Sequence, residues 1–178
     1  MLLSPKWAKY RYIIEAELSQ ETDRGVALIG GALVEDALEQ AIKQCLRPGK
    51  TGLPKNALGQ LFRPGGPLGS FDAKINLAYV NRIVGRRTHR WLLCIKDIRN
   101  KFAHSVLIHD AKHAMRPVRF ETQKIKDLCG NLPLASNEAQ PLSARERFLK
   151  SVTVLIAGFA IHENFVRHKC TKGVFIRH

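Results

Sequence analysis

The sequence has no hydrophobic segment long enough to cross a bilayer and no segment that resembles a secretion signal. Its longest apolar run covers residues 152–161 and is interrupted by Thr153 and Gly158, whereas a transmembrane helix needs roughly 20 residues. Residues 1–6 pass directly into polar sequence and lack the apolar core of a signal peptide. We therefore expect a cytoplasmic chain with no membrane partner.

Paired cysteines and familiar catalytic fingerprints are also missing. The four cysteines are far apart and form no C-x-x-C pair, so reduced thiols are the simplest expectation. The signatures of zinc peptidases, serine hydrolases, P-loop proteins and dinucleotide-binding folds are absent. The sequence therefore indicates no cofactor and no complete catalytic site of a common metabolic enzyme.

Acidic residues are few. The 178 residues include 29 Lys and Arg against 15 Asp and Glu, which gives a net charge of +14. The excess is largest over residues 86–126, where 11 basic residues face 3 acidic ones. Such a surface attracts polyanions such as nucleic acid, or acidic proteins. An ordinary solvated basic surface is the alternative interpretation.

The spacing of apolar residues is helical almost throughout, with a period near 3.6 residues. The chain is 45% hydrophobic and 25% charged, which is typical of a globular protein. We therefore predict an all-α fold, a single-domain bundle of five or six helices over residues 1–178. The predicted helices cover residues 5–19, 23–46, 71–84, 87–104, 121–129 and 143–168, with one short turn at 58–62 and a hairpin or loop at 109–118.

The helix predicted over residues 23–46 carries two notable features. Gly30 and Gly31 lie on its apolar side, where glycine is best tolerated if a neighbouring helix approaches closely. This glycine face, or the Gly- and Pro-rich connection 47–69, is a candidate interface for a homodimer. Thr22 or Asp23 can cap the helix. Asp23 and Arg24 begin it, and an acid there is favoured by capping and by the helix dipole.

The stretch Ile98-Arg99-Asn100-Lys101-Phe102-Ala103-His104 is the most informative in the chain. On a helix, Asp97, Asn100 and His104 share one side, opposite the apolar stripe that Arg99 flanks. One interpretation is a polar cluster near a helix C-terminus, where the dipole favours a charged imidazole. The alternative is structural, with Arg99 paired to an acid of a neighbouring helix, Asp36 or Glu35.

A second candidate surface is the basic cluster Arg86-Arg87-Thr88-His89-Arg90. It opens the helix predicted over 87–104 and would occupy the base-reading end of a helix-turn-helix. That helix carries an apolar stripe typical of a core element, so a helix-turn-helix is not favoured. The cluster remains the best single candidate for binding a polyanion, and a solvated surface is again the alternative.

Two weaker patterns concern ions. His109 and His113 have the i, i+4 spacing of paired metal ligands, but no third ligand is evident and we predict no metal site. Residues 65–70 precede a helix, as an anion-binding nest does. Pro67 in this stretch, Pro64 just before it and the lack of a P-loop lysine favour a structural turn that ends in Ser70 as the N-cap.

Three blocks of the sequence, in order and spacing, resemble the mannitol operon repressor (MtlR) family of bacterial regulators. They lie at residues 23–39, 61–79 and 98–104, and the resemblance spans about residues 20–165, leaving a basic tail at 167–178. The resemblance implies an all-helical repressor of sugar-alcohol uptake genes that acts through a regulatory protein partner or nucleic acid. Partner-binding candidates are Arg86, Arg87, Arg90, Arg99 and His104.

The pattern Arg99-x4-His104 is also similar to the Arg-x4-6-His motif of HEPN-type helical proteins, many of which are ribonucleases. In that family a dimer brings two motifs together. This resemblance implies that Arg99 steadies a phosphate, that His104 acts as general acid or base, and that Asn100 positions them, without a metal. We keep a metal-independent ribonuclease as the alternative function.

Overall fold

The computed structural model describes residues 14–46, 56–105, 107–109, 115–133 and 141–170. These residues form a helical bundle with one small β-hairpin, which confirms the predicted all-α class. The predicted helices are present where the structure describes the chain, and the short turn near residue 58 forms a helix of its own; residues 5–13 of the first predicted helix lie outside the described part. The elements are α1 (residues 14–19), α2 (Asp23–Cys45), α3 (Ala57–Phe62), α4 (Phe71–Val80), α5 (Arg86–His104), β1 (Leu107–His109), β2 (Met115–Pro117), α6 (Gln123–Gly130) and α7 (Ala144–Cys170).

Helix α2 is the central element and packs against α4, α5 and α7. Its first turn is capped by Thr22, whose side chain accepts a hydrogen bond from the backbone N–H of Gly25, as an N-cap residue does. Asp23 meets Arg145 and Gly30 meets Val152, so α2 and α7 run in the same direction. The eight buried residues of α2 are Val26, Ala27, Gly30, Gly31, Val34, Leu38, Ala41 and Ile42.

A chain of three aromatic rings joins α5 to α7 through the segment after β2. The ring of Phe120 lies 5.1 Å from that of Phe102 and 5.4 Å from that of Phe148, centroid to centroid. All three side chains are essentially inaccessible to solvent. Burying one such ring stabilises the fold by about 2–3 kcal/mol. The hairpin therefore does more than connect helices, because it delivers Phe120 to the core.

The glycine pair of α2 faces inward. A Cβ atom on Gly30 would lie 2.9 Å from the ring of Phe148, and one on Gly31 would lie 2.8 Å from Cδ of Arg99. Side chains of α7 and α5, rather than another helix backbone, fill the space that the glycines leave. The prediction that this face offers an interface to a second copy is therefore wrong. The other candidate interface is the connection 47–69, and its residues 47–55 lie outside the described part of the chain.

Helix α4 begins as predicted but ends four residues early. Ser70 caps it by accepting a hydrogen bond from the N–H of Ala73. At the other end Arg82 adopts a φ of 56°, and the N–H of Ile83 donates to the carbonyl of Ala78. This is the Schellman arrangement, which usually has glycine at the left-handed position. Because an arginine rather than a glycine occupies this position, the sequence did not indicate the end of the helix. The apolar Ile83 and Val84 also extended the helical pattern beyond it.

None of the helices in the described residues combines the length and the hydropathy that a membrane span requires.

Candidate functional site

A cluster of charged side chains lies where α2, α4 and α5 meet, and we call it the α2–α4–α5 junction. Glu35 accepts hydrogen bonds from Nη1 of Arg99 at 2.5 Å and from Nζ of Lys74 at 2.7 Å. Lys74 also lies 2.7 Å from Glu39, and its side chain is only 6% exposed. Buried charges are tolerated only when they are paired in this way. The junction thus fixes three helices relative to one another.

The pairing at the junction changes two pKa values. Burial alone would raise the pKa of Glu39, but hydrogen bonds from Lys43 and Lys74 outweigh it and hold that pKa below its ordinary value. Burial alone would lower the pKa of Lys74, but its bonds to Glu35 and Glu39 keep that pKa above its ordinary value. Both shifts favour the charged forms. Glu39 and Lys74 are therefore both charged near neutral pH.

Arg99 belongs to this junction. Its aliphatic carbons lie against Gly31, and its guanidinium lies 5.5 Å from the centre of the Phe71 ring, within the range of a cation–π contact. The prediction of a pair between Arg99 and Glu35 or Asp36 is confirmed for Glu35. Arg99 is therefore committed to packing α5 on α2.

Asp97, Asn100 and His104 come together on the other side of α5, as the helical spacing predicts. They line a shallow pocket of about 340 Å³. At 100° per residue, Arg99 and His104 are about 140° apart around the helix, and Arg99 is not among the residues that line the pocket. Those residues are Asp97, Asn100, Lys101, His104, Ser105, Lys124 and Leu128.

Two of the lining residues, Lys124 and Leu128, were missed by sequence reasoning. Both belong to α6, which lies about 20 residues further along the chain. Helix α6 packs on both α5 and α7, and its apolar residues Ile125 and Cys129 are buried. Local sequence carries no signal for that docking, because the hairpin between α5 and α6 sets the position of α6.

The basic cluster at the start of α5 is exposed. Arg86, Arg87 and Arg90 are exposed, and no carboxylate in the described part of the chain forms a salt bridge with them. His89 turns towards α4, where it stacks on Tyr79 with ring centroids 4.3 Å apart. The same helix buries Leu92, Ile95, Ile98 and Phe102, so it is a core element with one basic surface.

Asp23 links α2 to other parts of the fold rather than capping the helix. Its carboxylate lies 2.6 Å from Nη1 of Arg145 and accepts a hydrogen bond from the backbone N–H of Phe120 at 3.1 Å. Arg145 also donates to the carbonyl of Glu21 at 2.6 Å. The N-cap function belongs to Thr22 instead. Asp23 thus joins α2, α7 and the segment after β2.

The neighbouring Arg24 makes a similar tertiary link. Its Nη2 atom donates to the carbonyl of Ala103 at 3.1 Å, near the C-terminus of α5. A cation there also complements the helix dipole. The two residues that open α2 therefore hold three other elements in place.

The ion-binding patterns of the sequence find no site in the described residues. They contain no group of three or more His, Cys, Asp or Glu side chains that could hold a metal ion, and His113 lies outside them. In the turn before α4, the N–H groups of Gly66, Leu68 and Gly69 donate to backbone carbonyls. They are therefore not available to an anion, and residues 65–70 are a structural turn as predicted.

Fold and site together define a helical-bundle protein with a buried ion-pair junction and an exposed basic surface on α5. The sequence blocks at residues 23–39, 61–79 and 98–104 all contribute to that junction, through Glu35, Lys74 and Arg99. Protein-family models, curated proteins and solved structures were compared with the chain, and none of them matched it.

Proposed function

We propose that this chain is a transcriptional regulator of the repressor type that works by binding a partner. The residue resemblance to the mannitol operon repressor family suggests the class of protein. The commitment of Arg99 to the junction carries the choice of a binding module over an enzyme. Its guanidinium is paired with Glu35 and its stem is packed on Gly31.

The position of Arg99 weighs against the ribonuclease alternative for a physical reason. A catalytic arginine must reach a phosphate that the histidine also reaches. Arg99 and His104 point to different sides of α5, and withdrawing Arg99 would leave Glu35 in a partly buried site with fewer partners. That loss is costly for a charge that is only 15% exposed. The exposed basic residues, in contrast, are ready to meet a partner without rearrangement.

The proposal is tested by transcript profiling in a strain that naturally carries the chain. Deletion of the gene is expected to raise a small set of transcripts, and wild-type protein supplied in trans should restore them. A variant with Glu35→Ala, which loses the ion pair with Arg99, is less stable and should restore repression less completely than wild type. Unchanged transcripts after deletion would contradict the regulator proposal.

A metal-independent ribonuclease is the second candidate, and the pocket around His104 is the observation that favours it. Asn100, Lys101 and Lys124 line the pocket beside this imidazole, and together they supply donors and positive charge for a phosphate. In this hypothesis His104 would act as general acid or base. The two lysines would bind the phosphate in place of Arg99, which is held at the α2–α4–α5 junction.

Labelled single-stranded RNA incubated with the protein in EDTA distinguishes the two candidates. The regulator proposal predicts intact RNA with wild type and with His104→Ala alike. Cleavage by wild type and by the control Lys126→Ala, but not by His104→Ala, would support the ribonuclease instead. Lys126 suits as a control because it is exposed on α6 but does not line the pocket.

A further inference from the structure

One side of α5 carries polar side chains at both ends and in the middle, with the partly buried Leu93 between Arg90 and Asp97. At 100° per residue, Arg86, Arg90, Asp97 and His104 lie within about 40° of one another around the helix, and all four are exposed. The buried stripe of the same helix lies opposite. At 1.5 Å per residue this exposed side extends for about 27 Å. It joins the basic cluster at the start of α5 to the pocket around His104. In the sequence these two features are separate candidate sites.

The two borders of this surface are formed by neighbouring helices. On one side Tyr79 of α4 stacks on His89 of α5 and is 41% exposed. On the other side Lys124 of α6 joins Lys101 in lining the pocket. We call this surface, from Arg86 and Tyr79 to His104 and Lys124, the α5 track. It is a helix side set between two other helices rather than a protruding helix.

The charges of the track are mostly of one sign. Arg86, Arg90, Lys101 and Lys124 are basic, and Asp97 is the acid on the same side of α5, where Nζ of Lys96 lies 3.4 Å from its carboxylate. A row made of two cation pairs, at opposite ends of a surface about 27 Å long, matches a strand that carries several phosphates better than a single anionic group. An exposed aromatic ring beside such a row is what binding of unpaired bases requires.

We infer that the α5 track binds single-stranded nucleic acid. The arginines hold phosphates at one end and the lysines hold phosphates at the other. Tyr79 stacks on a base beside the arginines, and the pocket with Asn100 receives a base edge beside the lysines. A length of about 27 Å suits a strand of roughly four or more nucleotides, the lower end of known site sizes. A double helix fits less well, because a helix that reads a major groove must protrude into it.

This inference rests on the proposed function and names its partner, so the two need separate tests. Fluorescence anisotropy of labelled oligo(U) RNA, oligo(dT) DNA and a DNA duplex, titrated with the full chain, tests the partner alone. Four phosphate contacts predict a slope of log affinity against log salt of about −3, since single strands contribute about 0.7 per contact. The double variant Arg86→Gln/Arg90→Gln should bind on the order of tenfold more weakly and reduce that slope by about half.

The control variant removes the same charge elsewhere. Arg63→Gln/Lys126→Gln also loses two cations, and both residues are exposed but lie off the track. It should bind nearly as well as wild type. Asp97→Asn, which removes the acid of the track, should bind about two- to threefold more tightly. Tyr79→Ala should weaken binding to single strands while the salt slope stays unchanged, because stacking releases no counterions.

Three outcomes would overturn the inference. Equal losses in the track and control variants would mean that only net charge matters. Tighter binding to the duplex than to both single strands would assign the surface to double-stranded DNA. A flat salt response would exclude phosphate contacts. None of these outcomes changes the transcript profile of the deletion strain, so the regulator proposal stands or fails independently of them. A difference in affinity between oligo(U) RNA and oligo(dT) DNA would show which kind of single strand the track prefers.

Discussion

Two arginines of α5, nine residues apart, have opposite surroundings. Arg99 meets Glu35, Gly31 and Phe71 at the α2–α4–α5 junction. Arg90 is exposed, and no carboxylate in the described residues forms a salt bridge with it. The same type of side chain therefore stabilises the fold at Arg99, on one side of the helix, and remains available to a partner at Arg90, on the other side. Residue type alone does not tell which arginine is functional, because the side of the helix decides.

The comparison also separates two kinds of sequence signal. The sequence blocks at residues 23–39, 61–79 and 98–104 supply Glu35, Lys74 and Arg99, which lie in the junction and hold the bundle together. The track residues Arg86 and Arg90 lie outside those blocks. The blocks therefore account directly for the fold, and their bearing on the target of the protein is indirect.

The junction should be the most sensitive part of the molecule. Glu35→Ala leaves Arg99 without its carboxylate and Lys74 with Glu39 alone, so we expect a loss of about 2–3 kcal/mol in the free energy of unfolding. Urea denaturation followed by circular dichroism measures it. Arg86→Ala is the matched control and should leave the midpoint unchanged. Equal urea midpoints for Glu35→Ala and Arg86→Ala would contradict the distinction between a structural side and an exposed side of α5.

The link at the start of α2 should come next. Asp23→Asn keeps the size of the side chain but removes the charge that faces Arg145 and one acceptor. We expect a loss of about 1–2 kcal/mol in the free energy of unfolding, again from urea denaturation. Asp97→Asn, in an exposed acid, provides the control and should unfold like wild type. An Asp23→Asn variant as stable as wild type would mean that Arg145 keeps its contacts without the charge of Asp23.

A smaller effect is expected at the start of α7. Ser143 and Glu146 form a capping box, in which each side chain accepts a hydrogen bond from the backbone N–H of the other. Ser143→Ala should lower the free energy of unfolding by about 1 kcal/mol. Hydrogen bonds from Ser143 also hold the pKa of Glu146 below its ordinary value. Ser143→Thr, which keeps a hydroxyl, should retain most of the stability.

The smallest and most selective test concerns pH. Because the pKa of Glu39 is depressed in the folded state, its stabilisation is present above the ordinary value of 4.5 and is lost as the pH falls through the lower folded-state value. The stability difference between wild type and Glu39→Gln should therefore be constant near neutral pH and shrink in acid. A difference that grew on acidification would contradict the depressed pKa.

Sequence periodicity predicted the helices because their apolar stripes are long and regular, as in α2 and α5. It placed Asp97, Asn100 and His104 on one side correctly, since helical spacing alone decides that. The end of α4 was missed because an arginine, not a glycine, takes the left-handed position at residue 82. The part played by Lys124 and Phe120 was missed because both depend on how the hairpin returns the chain to α5. Long-range docking of that kind has no local signature.

The most direct test of the central claim compares Arg90→Gln with Arg99→Gln in one anisotropy titration of oligo(U) RNA, at a temperature where both variants are fully folded by circular dichroism. The account predicts that Arg90→Gln binds several-fold more weakly than wild type while Arg99→Gln binds like wild type. The reverse result, with affinity lost at Arg99 and kept at Arg90, would contradict the division of α5 into a structural side and a binding side. It would return the Arg99 and His104 pair to the centre of the function.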